Sequence, residues 1–386
     1  MIKRQIEKEL INAGKEYPVV TILGPRQSGK TTLARMTYPD VPYFSLESPD
    51  VRLAAQRDPR SFLNRMPEGG ILDEIQKLPE ILSFLQEIID KPGSQVKFIL
   101  TGSHQPELSQ SISQSLAGRT AVLNLLPFSF KEIRNYSELW DSFELVFRGF
   151  YPRLYEENLQ PSRFYTGYTQ TYLERDVRSL INLRDLRPFQ QFLVLLAGRV
   201  GQIINYTSLS NDVGVSATTI KFWIEALKAS FVVFELPPYF ENIRKRVVKS
   251  PKIYFTDVGL ASYLLGIESE EQAQRDPLRG NLYENLIISE ILKYQFNRGK
   301  RPDLFFYRDT HGNEVDLILK QGRTLIPFEI KSAATFTDGF TKGIDKFRNL
   351  VGDRSQNGFV LYNGNERFAV NKLEIINPLK HGEILF

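Results

Sequence analysis

Residues 24–31, GPRQSGKT, carry two glycines, a lysine and a threonine in the spacing G-x-x-x-x-G-K-[ST]. Glycines let a loop curl so that its backbone N–H groups, and the start of a following helix, face phosphate oxygens. At this spacing Lys30 reaches the β and γ phosphates of a nucleotide, and the hydroxyl of Thr31 binds Mg²⁺. A glycine-rich turn without a ligand is the alternative. The residues predicted to bind ATP are Gly24, Pro25, Arg26, Gln27, Ser28, Gly29, Lys30, Thr31 and Thr32.

Polar side chains end two apolar runs that follow this loop. Residues 69–74, GGILDE, end in Asp73 and Glu74, and residues 97–103, KFILTGS, end in Ser103. Beside a phosphate-binding loop, Asp73 would hold Mg²⁺, Glu74 would polarise the attacking water, and Ser103 would sense the γ phosphate. Acids also end strands merely because they are solvated there, which is the alternative for Asp73 and Glu74.

A glycine precedes Arg119 in residues 115–119, SLAGR. Arg119 is a candidate arginine finger that would act on the nucleotide of a neighbouring subunit, and that role requires a homo-oligomer. The alternative is an arginine at the surface or in an ion pair.

Charges interrupt two apolar runs near the other end of the chain. Residues 315–319, VDLIL, contain Asp316, and residues 325–331, LIPFEIK, contain Glu329 and Lys331. Burying a charge costs several kcal/mol unless the charge is paired or binds a metal. Residues two apart project from the same face of a strand, so Glu329 and Lys331 should lie together, with Asp316 on the strand before.

A further carboxylate, Glu284, shares one helical stripe with three isoleucines, so we expect it to face the interior. Carboxylates that converge near a lysine would bind Mg²⁺ or Mn²⁺ and activate water against a phosphodiester. The predicted metal ligands are Glu284, Asp316 and Glu329, and the predicted catalytic group is Asp316, Glu329 and Lys331. The alternatives are an ion pair between Glu329 and Lys331, and a nuclease relative that only binds.

The middle of the chain predicts a helix-turn-helix. Residues 189–236 combine helical apolar spacing, a DVGVS turn and a second helix that Ser216 would cap. Two strand-like runs follow, and the basic segment between them resembles a wing that contacts phosphates. Few side chains of the second helix could read bases, and a plain packing module is the alternative. The basic residues are Arg244, Lys245, Arg246 and Lys249, and the base-reading candidates are Thr218, Thr219 and Lys221.

Composition limits the classes of protein. The chain has 386 residues, of which 42% are hydrophobic and 24% charged, so we expect two or three globular domains. A net charge of +4 is too small to indicate nucleic-acid binding by itself. The absence of cysteine excludes disulfides and thiolate metal sites, and three scattered histidines argue against zinc. Without a signal peptide core or a long apolar run, we expect a cytoplasmic protein that does not contact a membrane.

Seven motifs occur along the chain in the order GPRQSGKTTL, LDEIQ, ILTGS, SLAGRT, LPFSFKEI, YTQTYLERDV and KIYFTDVGL. In this order they resemble a family of bacterial and archaeal AAA-type P-loop ATPases (ATPases associated with diverse activities), whose C-terminal half is a domain of unknown function. The C-terminal charges resemble the PD-(D/E)xK nuclease superfamily. That resemblance puts Asp316 in the Asp position, EIK in the (D/E)xK position and Glu284 as the helix acid, with Val315 in place of the usual proline.

The resemblance implies an α/β protein: a P-loop NTPase core with a parallel sheet, then a winged helix-turn-helix and a restriction-endonuclease-like α/β domain. We place the ATPase domain at residues 1–135, a helical linker or lid at 136–184, the winged helix at 185–265 and the nuclease-like domain at 275–386. The expected function is ATP binding and hydrolysis by an enzyme that acts on DNA, with a metal-dependent nuclease domain. The alternative is a nucleotide-switched binding or assembly module without nuclease activity.

Overall fold

The structure is a computed structural model that describes residues 2–103, 106–136, 140–173, 186–240, 250–355 and 357–382. Over these residues, two large sheets are separated along the chain by a predominantly helical segment that contains a two-stranded sheet. No helix within these ranges is long and apolar enough to cross a membrane.

The first sheet has five parallel strands in the order β2-β3-β4-β1-β5. They are β1 Val19–Leu23, β2 Tyr43–Ser45, β3 Gly69–Asp73, β4 Lys97–Gly102 and β5 Thr120–Asn124. Every residue of β1 and β3 is buried, as expected where helices cover both faces of a parallel sheet. This sheet confirms the predicted parallel α/β core.

Helices connect these strands because parallel neighbours need crossover connections. They are α2 Lys30–Thr37, α3 Pro49–Arg57, α4 Pro59–Leu63, α5 Ile81–Ile89 and α6 Pro106–Ser115, and α1 Glu7–Glu16 precedes β1. The carboxyl ends of parallel strands meet at one edge of the sheet. At that edge β1 leads into the loop at residues 24–29, β3 ends at Asp73, and β4 leads into Ser103.

The middle of the chain is mostly helical. Its elements are α7 Phe130–Ile133, α8 Ser142–Arg148, α9 Pro152–Glu156, α10 Pro161–Tyr168 with a π-helical extension Thr169–Leu173, α11 Arg187–Ala197, α12 Tyr206–Val213, α13 Ala217–Ala229, β6 Val233–Leu236 and β7 Lys252–Phe255. Gly214, with φ 78°, separates α12 from α13, and Ser216 caps α13 by accepting a hydrogen bond from the N–H of Thr219 at 3.0 Å. β6 and β7 pair antiparallel. The predicted basic wing, with Arg244, Lys245, Arg246 and Lys249, lies outside the described residues, and the winged-helix assignment stays a prediction.

The second sheet has six strands in the order β12-β13-β11-β10-β9-β8. Its elements are α14 Val258–Leu264, α15 Glu270–Arg275, α16 Arg279–Phe296, β8 Leu304–Arg308, β9 Glu314–Gln321, β10 Thr324–Lys331, α17 Lys342–Val351, β11 Gly358–Tyr362, β12 Phe368–Val370 and β13 Leu373–Ile376. β8, β9 and β10 pair antiparallel, whereas β10 pairs parallel with β11 after the α17 crossover. The elements around Asp316 and Glu329 thus follow the order long helix α16, antiparallel strands β8 to β10, helix α17 and parallel strand β11. The nuclease-like assignment stays a prediction.

One apolar core joins the middle of the chain to the second sheet. Its buried side chains run from Leu126 to Ile376 and include Phe192 on α11, Leu286 on α16 and Phe328 on β10. A hydrogen bond from the N–H of Tyr239 to the carbonyl of Phe306, 2.6 Å, also ties the two segments. The segments on either side of residue 265 therefore share one core, and the division into domains stays a prediction.

Candidate functional site

The loop between β1 and α2 curls tightly at the carboxyl edge of the first sheet. A Cβ on Gly24 would lie 2.1 Å from the carbonyl oxygen of Leu125, so only glycine fits there. Gln27 and Gly29 have φ values of 62° and 92°, and Gly29 is the N-cap of α2. The ammonium group of Lys30 donates to the carbonyls of Gly24, at 3.0 Å, and Pro25, at 2.8 Å. The lysine is therefore held over the loop, where phosphate oxygens would meet it.

Asp73 is surrounded by hydroxyl groups beside this loop. Thr31 donates to Asp73 Oδ1 at 2.7 Å, Tyr43 donates to Oδ2 at 2.9 Å, and Thr101 also donates to Oδ1. Burial, and then Asp73, raise the pKa of Tyr43 to about 12, so the phenol stays a donor at neutral pH. A buried carboxylate next to the Thr31 hydroxyl supplies the oxygen ligands that Mg²⁺ prefers. Thr31 and Asp73 are therefore suitable ligands for the predicted Mg²⁺. The sequence did not predict the role of Tyr43, because β2 contains no recognisable motif.

Glu74 follows Asp73 in a left-handed backbone conformation, with φ 58°, which is uncommon outside glycine and asparagine. Its N–H donates to the hydroxyl of Thr101 at 3.4 Å, and its carboxylate accepts from the side-chain amide of Gln76. The carbonyl oxygen of the same amide accepts from the N–H of Ser103 at 3.3 Å. Gln76, which sequence reasoning did not single out, therefore joins the two predicted catalytic positions.

Three polar side-chain atoms at this edge are buried without a hydrogen-bond partner among the described residues. They are Gln27 Oε1, Ser28 Oγ and Ser103 Oγ. A buried polar atom without a partner costs about 1–3 kcal/mol, so native structures seldom keep several in one place without a ligand. Together with the glycine loop and Lys30, these atoms indicate a site for a polar, phosphate-bearing ligand.

Arg4 supports the loop from behind, and the sequence did not predict this. Its guanidinium donates to the carbonyls of Ser28 and Leu126, each at 2.7 Å, and to Glu132 Oε1 at 3.0 Å. Glu132 in turn completes a capping box with Ser129 at the start of α7. The buried pair of Arg4 and Glu132 thus fixes the loop to the segment after β5.

Arg119 lies at the opposite edge of the sheet from the loop. Its carbonyl accepts from the N–H of Val19, the first residue of β1, at 3.2 Å. Its guanidinium makes a two-pronged ion pair with Asp90, at 2.6 and 2.8 Å, and that bond lowers the pKa of Asp90. The structure therefore does not bring Arg119 to the phosphate site of its own chain, and a role toward a neighbouring subunit stays a prediction.

The predicted C-terminal charges meet between β9 and β10. Asp316 Oδ2 accepts from the N–H of Ile330 at 2.8 Å and lies 3.3 Å from the ammonium group of Lys331. The same ammonium group lies 2.7 Å from Glu329 Oε1. Burial, followed by Asp316, raises the pKa of Glu329 to about 8. The sequence thus predicted correctly that these three side chains lie together.

Glu284 also points into this region, but two residues of β7 hold it. Glu284 Oε1 accepts from Lys252 at 3.0 Å and from the hydroxyl of Tyr254. Lys252 also lies 2.6 Å from Glu314 Oε1. Sequence reasoning missed Lys252, Tyr254 and Glu314, although the alternation in KIYF places Lys252 and Tyr254 on one face.

The carboxylates of this second cluster do not surround one cation position. Across the described ranges, no three histidine, aspartate or glutamate side chains stand close enough together to hold one metal ion. The reason is local: Lys331 lies between Asp316 and Glu329, and Lys252 holds Glu284. In this arrangement Glu284, Asp316 and Glu329 do not form a site that fits Mg²⁺ or Mn²⁺. Their role as metal ligands stays a prediction.

The glycine loop, Lys30 and the Asp73 edge lie within residues 16–134, which match a family model described as AAA domain. The fold and this site therefore define a P-loop ATPase domain of the AAA type. Two models described as domains of unknown function match the rest: DUF8612 over residues 139–271 and DUF4143 over residues 279–381. The chain is 30% identical over 339 residues to "Uncharacterized protein Rv2008c" of Mycobacterium tuberculosis, covering 86% of this chain and 74% of that protein. It belongs to the family of that protein.

More distant similarities span much of the chain. An uncharacterized protein of Haemophilus influenzae is 22% identical over 393 residues, covering 91% of this chain and 93% of that protein. Among solved structures, a Walker-type ATPase of Pyrococcus abyssi aligns with a TM-score of 0.40 and 17% identity, over 68% of this chain and 96% of that chain. A structural likeness this low carries no argument about function.

Proposed function

We propose that the protein binds and hydrolyses ATP at the carboxyl edge of its first sheet and uses the nucleotide to control how its C-terminal half engages DNA. The observation that carries the ATPase proposal is the convergence of Lys30, Thr31 and Asp73 on one buried edge. The DNA proposal is supported by the basic segment 244–249 in the sequence.

The loop residues have distinct tasks in nucleotide binding. Backbone N–H groups of residues 26–31, at the end of the loop and the start of α2, face the phosphates, and Lys30 exchanges its carbonyl partners for β and γ phosphate oxygens. Thr31 and Asp73 would hold Mg²⁺, which neutralises phosphate charge when it is bound.

An apolar cleft beside the loop suits the nucleobase. Ile2, Met36, Phe128 and Pro152 line it, next to Gly29 and Thr32 of the loop and α2, and its rim carries the charged residues Lys3, Arg4, Glu7 and Glu156. A flat heterocycle gains from apolar and aromatic contacts of this kind. In this proposal the cleft receives part of the nucleobase.

Hydrolysis needs a water molecule aimed at the γ phosphorus. Glu74 orients this water and takes its proton while the water oxygen bonds to phosphorus and the bond to the ADP oxygen breaks. The left-handed backbone of Glu74 and the Gln76 amide hold this carboxylate in place. The hydroxyl of Ser103, buried without a partner among the described residues, donates to the γ phosphate.

The test is phosphate release from ATP by the full chain and by Lys30→Ala. We expect the variant to lose turnover by roughly a hundredfold or more, because a cation aimed at the transferring phosphoryl group is removed. Lys91→Ala, which changes an exposed lysine of the same domain, is the matched control. Equal turnover in Lys30→Ala and the parent protein would refute the site.

A second candidate function is a nucleotide-switched assembly module that contacts protein and cleaves nothing. One observation favours it: Lys252 already pairs with Glu284, a carboxylate that a nuclease would need for its metal. In that case ATP would change the conformation of the C-terminal half, and binding to DNA would be absent or insensitive to salt.

A further inference from the structure

Lys252 lies among carboxylates that other segments of the chain supply. Its ammonium group is 3.0 Å from Glu284 Oε1 and 2.6 Å from Glu314 Oε1, and only 4% of its side chain is exposed. The ring centroid of Phe306 lies 5.5 Å from the same nitrogen. Lys252 has therefore exchanged water for two carboxylates and an aromatic face.

Lys252 binds the carboxylate of Glu284, which the predicted metal site would need as a ligand. The sequence predicts that Glu284 joins Asp316 and Glu329 around a cation, but Glu284 Oε1 accepts from Lys252 and Tyr254 instead. The ammonium group lies against Glu284 of α16 and Glu314 of β9, and it neutralises that side of the cluster.

One oxygen of the cluster is left over. Glu329 Oε2 is buried and has no hydrogen-bond partner among the described residues, although Glu329 Oε1 pairs with Lys331. An unpaired buried carboxylate oxygen is costly unless a cation reaches it. The cluster thus contains Glu329 Oε2, which is available to a cation. It also contains the neighbouring carboxylate of Glu284, which already pairs with Lys252.

We propose that Lys252 is a built-in cation that keeps the cluster of Glu284, Asp316 and Glu329 from binding a divalent metal ion. The ammonium group occupies Glu284 Oε1, so a metal ion would have to compete with Lys252 for that oxygen. β7 carries the lysine, whereas α16, β9 and β10 carry the carboxylates. The inference goes beyond the ATPase proposal and is independent of it.

The test is Mn²⁺ binding, followed by electron paramagnetic resonance of the free ion, to the full-length chain without nucleotide. Every protein carries Asp73→Asn, so that the first site does not contribute. We expect Lys252→Met to bind Mn²⁺ at least about tenfold more tightly than its parent, because a positive charge beside the metal position is removed. Lys346→Met is the matched control: this exposed lysine contacts Asn313 at 2.5 Å, outside the carboxylate cluster, and its loss should leave Mn²⁺ affinity unchanged.

A second variant protects the test against misfolding, since Lys252→Met leaves Glu314 without its closest partner. Lys252→Met with Glu314→Gln removes that unpaired charge and keeps the three predicted ligands. Addition of Asp316→Asn should abolish the gain in affinity. Equal Mn²⁺ affinity in the parent and the Lys252 variants would overturn the proposal. So would a folded double variant that binds no Mn²⁺, because the cluster would then be an ionic contact with no capacity for metal.

Discussion

Arg4 shows how one residue can fix the shape of a distant loop. Its guanidinium bonds the carbonyl of Ser28 in the phosphate loop, the carbonyl of Leu126 after β5, and the carboxylate of Glu132. The planar fork of arginine can make these bonds at once, whereas the single ammonium group of lysine cannot. The N-terminal segment therefore belongs to the nucleotide site.

We predict that Arg4→Met lowers the melting temperature by several degrees and raises the KM for ATP more than it lowers kcat. Removal of one partner of a buried ion pair costs about 3–5 kcal/mol, because the other charge is left unpaired. Arg4→Met with Glu132→Gln should recover part of the loss in stability. Thermal melting and ATPase kinetics measure these effects, with Lys8→Met, at an exposed position outside the cleft, as control. An Arg4→Met protein with the melting temperature and KM of the parent would contradict this role.

At the scale of elements, α16 extends from the carboxylate cluster of the second sheet to the residues that support the phosphate loop. Glu284, near its start, faces the carboxylate cluster of the second sheet. Lys293, near its end, donates to the carbonyl of Phe128 at 2.9 Å and lies 3.7 Å from the ring centroid of Phe150. Phe128 is two residues from Leu126, whose carbonyl Arg4 holds. A rigid helix thus runs from the support of the phosphate loop to the second cluster.

Glu290 of α16 predicts a dependence of stability on pH. Burial raises the pKa of Glu290 from 4.5 to about 7, although Lys293 opposes this shift. The N–H of Phe130 also lowers that pKa, whereas the charge of Glu132 raises it. A folded pKa above the unfolded one means that the folded state binds the proton more tightly. The stability contributed by protonated Glu290 is therefore full below about pH 4.5 and is lost as pH rises toward 7.

Glu290→Gln keeps the neutral form at every pH, so we expect its melting temperature to rise relative to the parent between pH 5 and pH 8. The difference should correspond to at most a few kcal/mol, at about 1.4 kcal/mol for each unit of pKa shift. Thermal melting across this pH range measures it, and Glu268→Gln at an exposed position is the control. A difference between variant and parent that does not change with pH would refute the assignment.

The sequence predicted the elements whose signals are local. The glycine loop between β1 and α2, and the pairing of Asp316 with Glu329 and Lys331, follow from motif spacing and strand alternation. Lys252 could not be predicted in this way, because its partner Glu284 is 32 residues away and on a different element. The contact between β7 and α16 arises from apolar packing between distant parts of the chain.

At the scale of the whole molecule, charge is nearly balanced, so any contact with nucleic acid depends on local clusters. A net charge of +4 spread over 386 residues gives little attraction for phosphate. The segment 244–249, RKRVVK, places four cations within six residues between β6 and β7. Its side chains lie outside the described residues, and the expectation for this segment depends on sequence alone.

We predict that Arg244→Glu with Arg246→Glu weakens binding to duplex DNA and lowers the slope of log affinity against log salt by about two, because each lost phosphate contact removes about one counterion release. Fluorescence anisotropy with a labelled duplex between about 50 and 200 mM salt measures both. The matched control is Lys300→Glu with Arg301→Glu, an exposed basic pair elsewhere on the chain. If the parent binds DNA with no salt dependence, or the two reversals have equal effects, the segment is no phosphate-contacting wing. The protein-contacting switch would then be the better account of how the C-terminal half uses ATP.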